Sequence, residues 1–352
     1  MISPRLRALV SCPDCRFPLR DEGARFVCPN CHRGFAPGHG YIDLRPADAF
    51  NETTKYTDEA LHVDARHERV SPPLLGAGVR NRMLRDFLAL TPHDRLIDLG
   101  CGSGRMMLWN HDTGAWMVGV DVAPFFAHEA IEQTDLVLGD LRRMPFPDGS
   151  FNKAWSLDVF EHLSKDALEG FLRETARVMA PGGALFVYTH VRKNAPIARG
   201  LRWINHLAAW LERRGLIDMT VERLRKSDHL NPLADIPDLE QTVGAAGFRI
   251  ERIRYYTPLI GGFVENILMR MAEHAMASRA RARQPAGTRD SAAAVRDART
   301  SAKARIARGG LVYGVLQALT TLMMLDVWLF GRIRSGPFFA LLVKESARPS
   351  AG

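Results

Sequence analysis

The chain has 352 residues, 46% of them hydrophobic and 24% charged, with 29 glycines and 20 prolines. That composition excludes a collagen-like, a wholly disordered and a multi-span membrane protein, and the length allows one large domain with additions, or two domains. The net charge of +8 is uneven: residues 279–308 hold nine basic side chains against two acids, so this stretch alone carries +7 and the remainder is close to neutral. A broadly basic nucleic-acid surface is therefore not expected, and the basic stretch reads as a solvated linker or a patch that touches anionic lipid or nucleic acid.

Four of the five cysteines form two C-x-x-C pairs, Cys12/Cys15 and Cys28/Cys31. Each pair can aim two thiolates at one ion, and two pairs complete a tetrahedral sulfur shell. The expectation is a structural Zn2+ site with no open position. It calls for a reducing, cytoplasmic setting, since a disulfide framework would spread its cysteines along the chain. Residues 17–19 and 25–27 read as hairpin arms around an Asp21-Glu22-Gly23 turn. His32 reads as a bystander. The first ten residues hold Arg5 and Arg7 and no apolar run of signal-peptide length.

Past residue 90 the pattern alternates between apolar strands and helices. From Arg95 a short apolar strand ends at Asp98, and Gly100, Gly102 and Gly104 then form a tight turn into a helix that begins near Met106. Glycines at that place let the backbone turn sharply and a ligand approach closely. Trp116–Asp121 is a second strand ending in an acid that can accept both hydroxyls of a ribose. Leu136–Asp140 is a third strand with an acidic end, Asn152–Leu157 a fourth, and Ala184–Thr189 a fifth behind an Ala-Pro-Gly-Gly turn. Such alternation predicts a parallel, doubly wound α/β sheet.

Five stretches occur here in one order: Asp98-Leu-Gly-Cys-Gly-Ser-Gly104, Gly119-Val-Asp121, Gly139-Asp-Leu141, Asp158-Val-Phe-Glu-His162 and Ala180-Pro-Gly-Gly183. Together they resemble the class I S-adenosylmethionine-dependent methyltransferases. The resemblance implies a Rossmann-like, seven-stranded sheet with an antiparallel last strand. It implies that Asp98, Gly100, Cys101, Gly102 and Gly104 hold the methionine part of S-adenosylmethionine. Asp121 with Val122 would take the ribose, Asp140 and Leu141 would frame the adenine, and Leu157 would line the same site. Asp158, Glu161 and His162, at i, i+3 and i+4, would share one face of a helix. That face is open to three roles: a divalent metal, as in ubiquinone-pathway O-methyltransferases that carry a similar trio; acid–base or hydrogen-bonding work on the acceptor; or structure alone. His162 is the first candidate base and His229 the second.

Beyond the fifth strand, residues 192–232 carry a helix, 197–214, where this superfamily often places a cover over the acceptor. A helix over 238–246, a sixth strand over 248–256 and a last strand over 337–344 follow. Residues 258–335 then interrupt the hairpin between the last two strands with an amphipathic stretch (259–277), the basic run, and a nearly uninterrupted apolar run (309–330) holding Asp326 as its single charge. The expected division is thus a ribbon over 1–46, a methyltransferase domain over 47–257 and 336–347, and the two insertions. The apolar run approaches the length of a bilayer span. Crossing would strand the last strand on the wrong side, so an interfacial helix or a greasy substrate entrance is expected, with residues 279–331 facing an anionic membrane surface. The acceptor expected is a hydrophobic or lipid-linked small molecule methylated on oxygen or carbon. A ribosomal-RNA guanine-N1 methyltransferase, which a four-cysteine ribbon ahead of such a domain also resembles, is less favoured because the body is near neutral. A non-catalytic cofactor-binding module is the third reading.

Overall fold

In the computed structural model, residues 2–48, 70–192, 198–219, 229–256, 258–282, 310–334 and 336–346 are described. The basic run from 283 to 308, Ile197, Ser227 and Asp228 lie outside them.

The chain opens with α1 (Pro4–Leu9), whose N-terminus is capped by the Ser3 hydroxyl accepting from Leu6 N–H. Strands β1 (Arg20–Asp21), β2 (Phe26–Val27) and β3 (Gly34–Phe35) make a three-stranded sheet around the cysteines. The hairpin turn falls where the sequence places it, with Gly23 at φ 81° and its N–H donating to Asp21. Its first arm is 20–21 rather than 17–19, because Pro18 is taken by an isolated bridge to Ser11. Two short strands follow, β4 (Pro37–Gly38) and β5 (Tyr41–Asp43).

Then come α2 (Leu75–Leu88), β6 (Arg95–Leu99), α3 (Arg105–Asn110), β7 (Trp116–Asp121), α4 (His128–Gln133), β8 (Asp135–Leu138), β9 (Phe151–Leu157), α5 (Lys165–Val178) and β10 (Met179–Thr189). After these lie α6 (Ala198–Arg213), α7 (Ile236–Ala245), β11 (Phe248–Tyr255), α8 (Pro258–Phe263), α9 (Met269–Ala282), α10 (Leu311–Phe330) and β12 (Phe338–Lys344), with a π-turn over Val264–Leu268 joining α8 to α9. The nine-stranded main sheet runs β11-β12-β10-β9-β6-β7-β8-β5-β4. Strands β10, β9, β6, β7, β8 and β5 pair in parallel, while β12 is antiparallel to both β10 and β11. Seven of these strands have the Rossmann-like order of class I methyltransferases. The hairpin of β11 and β12 pairs Tyr255 with Phe338, so residues 256–337 leave and re-enter it as one insertion.

The N-terminal segment is not a separate bead. Strand β5 pairs with β8 through Ile42 and Val137 and extends the sheet by one parallel strand. Leu6, Val10, Phe26, Phe35, Ile42 and Leu44 are buried in one cluster with Ile97, Val137 and Phe146 of the main sheet. Ser3 N–H donates to Asp135, and Ser11 N–H to the Pro145 carbonyl. Each fully buried side chain of this size contributes about 1.5–3 kcal/mol, so the seam is strong.

On the other side α2 packs on β10 and β12, and α10 packs on α2. A Cβ at Gly78 would sit 2.7 Å from Thr320 Cγ2, so the glycine permits that close approach. Thr320 Oγ1 accepts from Leu75 N–H at 2.7 Å, and Asp326 accepts from Ile260 and Gly261 N–H at 2.7 and 3.0 Å. Burial pushes the Asp326 carboxyl upward.

Candidate active site

The central turn follows β6. Gly100 and Cys101 N–H donate to the Val120 carbonyl, which ties the turn to β7. Gly100 sits at φ 80°, and a Cβ there would lie 2.6 Å from Val159 Cγ2. Gly102, at φ 53°, faces open space with no atom within 4 Å of the position a Cβ would take. A left-handed backbone beside an open cradle is what close approach of a ligand to the chain requires.

Two carboxylates border the cradle. Asp98 is buried, and among the described residues its Oδ2 meets no full hydrogen-bond geometry, with the Trp155 side chain beside it. Burial raises its carboxyl to about 7, and the neighbouring Asp121 adds to the shift. Asp121 accepts from Gly102 N–H at 2.8 Å and Ala123 N–H at 3.0 Å, and burial pushes it upward too. A buried carboxylate carries a solvation cost that a cationic ligand offsets. S-adenosylmethionine carries an ammonium group and a ribose, and this donor set fits both. Cys101 belongs to the packing: burial holds its thiol well above its usual range, and it lies against Gly119. Asp140, the predicted adenine neighbour, is held by Arg142 through the backbone N–H at 2.8 Å and the guanidinium at 2.9–3.2 Å. Val122, Leu141 and Leu157 are half-buried at strand ends.

The predicted helical trio is not helical. Asp158 sits at φ 55°, and only Phe160–His162 make a single 3-10 turn. Ser164 caps the next helix by accepting from Ala167 N–H, so α5 begins at Lys165. Asp158 therefore leaves the group and lies 3.8 Å from Arg80 Nη1. His229 takes its place: ligand atoms of Glu161, His162 and His229 all lie within 4.8 Å of one another. The divalent-metal expectation at Asp158, Glu161 and His162 is corrected accordingly. Leu230 and Asn231 N–H both donate to the Glu161 carbonyl, which pins the His229 segment to this turn. The His162 and His229 rings meet edge to face at 4.7 Å, and His190 lies 5.6 Å from His229. Glu161 is buried and accepts from Thr189 Oγ1 at 3.0 Å. Burial, reinforced by Asp158, raises its carboxyl to about 8.

Residues that the sequence reading does not single out complete this end of the sheet. Arg80 of α2 lies 5.3 Å over the Tyr188 ring. Burial works against its charge, but Asp158, Tyr188 and Glu265 outweigh that and hold it protonated. Tyr188 stacks on Phe339, and the buried Tyr256 hydroxyl has no hydrogen-bond partner among the described residues. Burial raises both phenols. The only local signal for Arg80 is an arginine on the inward, apolar side of a helix.

In the ribbon the two C-x-x-C knuckles mirror each other. Cys12 N–H donates to the Phe17 carbonyl and Cys28 N–H to that of Arg33, while Arg16 and His32 both adopt left-handed φ. The Sγ atoms of Cys12 and Cys31 lie 3.6 Å apart, those of Cys15 and Cys28 3.4 Å, and all four lie within 4.8 Å. A tetrahedron of Zn–S bonds about 2.3 Å long needs sulfurs about 3.8 Å apart, so the donors fit zinc. The group holds the four cysteine sulfurs and does not include His32.

Residues 97–187 match the family described as Methyltransferase domain. A sterol 4-C-methyltransferase of Caenorhabditis elegans is 32% identical over 120 residues, 32% of this chain and 35% of that protein. A probable chloroplastic tocopherol O-methyltransferase of Oryza sativa subsp. japonica is 33% identical over 131 residues, 32% of this chain and 36% of that protein. Among solved structures, the [4+2]-cyclase SpnF is similar with a TM-score of 0.45 at 18% identity, over 83% of this chain and 93% of that one. The chain spans about a third of the length of these two curated relatives. The stretch 97–187 is similar to the methyltransferase domain family, and the sheet that continues it has the Rossmann-like strand order.

Proposed function

We propose that the protein transfers a methyl group from S-adenosylmethionine to an oxygen or carbon of a hydrophobic or lipid-linked small molecule. The carrying observation is the open turn at Gly102 between Asp98 and Asp121, inside the matched segment. When bound, the cofactor supplies an electrophilic methyl carbon on a sulfonium sulfur. Asp98 receives the ammonium group, Asp121 the ribose hydroxyls, and Asp140 and Leu141 flank the base. The reaction then needs alignment and exclusion of water more than covalent help.

The acceptor meets the groups beyond Val159. His162 or His229 takes the proton from an acceptor hydroxyl, and Glu161 positions the two rings. The same three side chains offer a His2Glu donor set, which suits a divalent ion such as zinc that would polarise that oxygen instead. Arg80 and the Tyr188 ring face an anionic or conjugated part of the acceptor. The matched relatives named for sterol and tocopherol methylation support an apolar acceptor class. The N-terminal cysteines hold structural zinc.

The test is radiolabelled methyl transfer into host-cell extract, separated into lipid, aqueous and RNA fractions. Label in the lipid fraction, lost in Asp121→Ala and reduced at least tenfold in His162→Ala, is the expected result. Label in RNA would replace this reading with the ribosomal one.

A further inference from the structure

Helix α6 exposes an apolar stripe. Trp203 is 80% exposed, and Leu207 and Trp210, at i+4 and i+7, are exposed beside it. The neighbouring stripe, about 100° round the helix and holding Ala208 and Leu211, is buried against Ile217 and Ile267. So α6 carries a wide apolar face with a protein partner on only one part of it. Helix α10 repeats this. Thr320, Met323, Met324 and Val327 are buried, while Leu311 (86% exposed), Val315, Leu322 and Leu329 (67% exposed) lie along the opposite line. From Leu311 to Leu329 that line is about 27 Å long at 1.5 Å per residue. Helix α8 packs against both α6 and α10 and so joins them.

Cations border these faces. Arg213 and Arg214 end α6, and the Arg214 guanidinium lies 4.4 Å over the Trp210 ring. Exposed Arg332 and Arg334 follow α10. The run that joins α9 to α10 carries a net +5 in sequence, and Arg279 and Arg281 at the end of α9 bring residues 279–308 to +7. Tryptophan beside arginine at the edge of an apolar surface matches the headgroup layer of a bilayer, where the ring is half apolar and the cation meets anionic lipid. A two-fold contact between two copies of this face would bring the same arginines together, which charge disfavours.

We propose that the exposed faces of α6 and α10 together dock on an anionic lipid bilayer, lying in its headgroup layer and not crossing it. Crossing is opposed by the inner face of α10: Thr320 and Asp326 hold backbone N–H groups of α2 and α8, and a spanning helix would carry Asp326 into hydrocarbon. The docking face differs from the sequence expectation, which placed it in 279–331 alone, because α6 and its two tryptophans join it. Helix α2, which carries Arg80, lies directly beneath α10, so docking brings the bilayer within one helix layer of the acceptor groups. The inference extends the reading of an apolar acceptor, but its test needs neither cofactor nor acceptor.

The full chain is floated with vesicles of phosphatidylcholine alone and with one-quarter phosphatidylglycerol, at low and high salt. Expected are capture by the anionic vesicles, loss of most of it in 0.5 M NaCl, and a blue shift of tryptophan emission. Lipids brominated near the headgroup should quench that emission more than lipids brominated near the chain ends. Trp203→Gln with Trp210→Gln, and separately Leu311→Gln with Leu329→Gln, should each weaken capture about tenfold or more while circular dichroism stays unchanged. Absent capture, or capture indifferent to both double variants, overturns the proposal. Strongest quenching from the bilayer centre overturns the interfacial depth. A dimer that these variants dissociate, with no vesicle binding, reassigns the face to a second copy of the chain.

Discussion

Asp98 shows how one residue links fold to chemistry. Its carboxyl is raised to about 7 because β6 buries it and Asp121 lies beside it, against the lowering effect of the Trp155 side chain. A bound ammonium group favours the ionised form and pulls that value down. S-adenosylmethionine affinity should therefore rise with pH up to about 7 and level off above it. Asp98→Asn should weaken binding about tenfold or more, the range for a lost charge-assisted hydrogen bond, and should flatten that rise. Calorimetry between pH 5.5 and 8.5 measures both, and an unchanged pH profile in the variant would remove Asp98 from the site.

Glu161 makes a second prediction of the same kind. Its folded value of about 8 lies above the ordinary 4.5, so between those values the folded chain holds a proton that the unfolded chain has lost. Stability from this group is full below pH 4.5 and declines as pH rises toward about 8. In Glu161→Gln the decline should be smaller than in the parent across that window, and urea midpoints read it directly. Equal slopes would show that a bound cation already neutralises Glu161 or that the group is solvated.

At the scale of elements, legibility depended on whether the signal was local. The glycine turn and the acid-ended strands are local backbone chemistry, and β6, β7 and β9 fall close to where the pattern places them. The interrupted hairpin is legible because β12 has a clear apolar run and β11 interleaves apolar with charged residues in the manner of an edge strand. The trio at 158–162 was misplaced because helical spacing says nothing of where a helix begins. Ser164 is the N-cap, and its Ser-x-x-Ala pattern lacks the acidic partner that marks a stronger start. His229 joins Glu161 through backbone bonds across 68 or more residues, which no periodicity reports. Strand β5 was likewise hidden, since three residues at a sheet edge carry little pattern of their own.

Helix α10 carries a prediction at this scale. Thr320→Val keeps the shape and removes the hydroxyl that receives Leu75 N–H. The orphaned N–H should cost about 1–3 kcal/mol. A urea titration that moves by less than experimental error would show that α10 is not anchored to α2 in this way.

Across the whole molecule, the ribbon and the methyltransferase sheet share one buried cluster, in which Cys12 and Cys28 themselves take part. With the proposed zinc bound at the four cysteines, stripping it should therefore lower the stability of the entire domain, with one cooperative transition, instead of melting an independent ribbon. Calorimetric scans before and after chelation decide this, and two separable transitions in the zinc-loaded protein would contradict the shared core.

The measurement closest to the centre of the account is titration calorimetry of the folded chain with S-adenosylmethionine. The expected result is one site per chain, greatly weakened in Asp121→Ala with the fold intact by circular dichroism. No heat of binding to S-adenosylmethionine or to S-adenosylhomocysteine, across several temperatures and on folded protein, would contradict it.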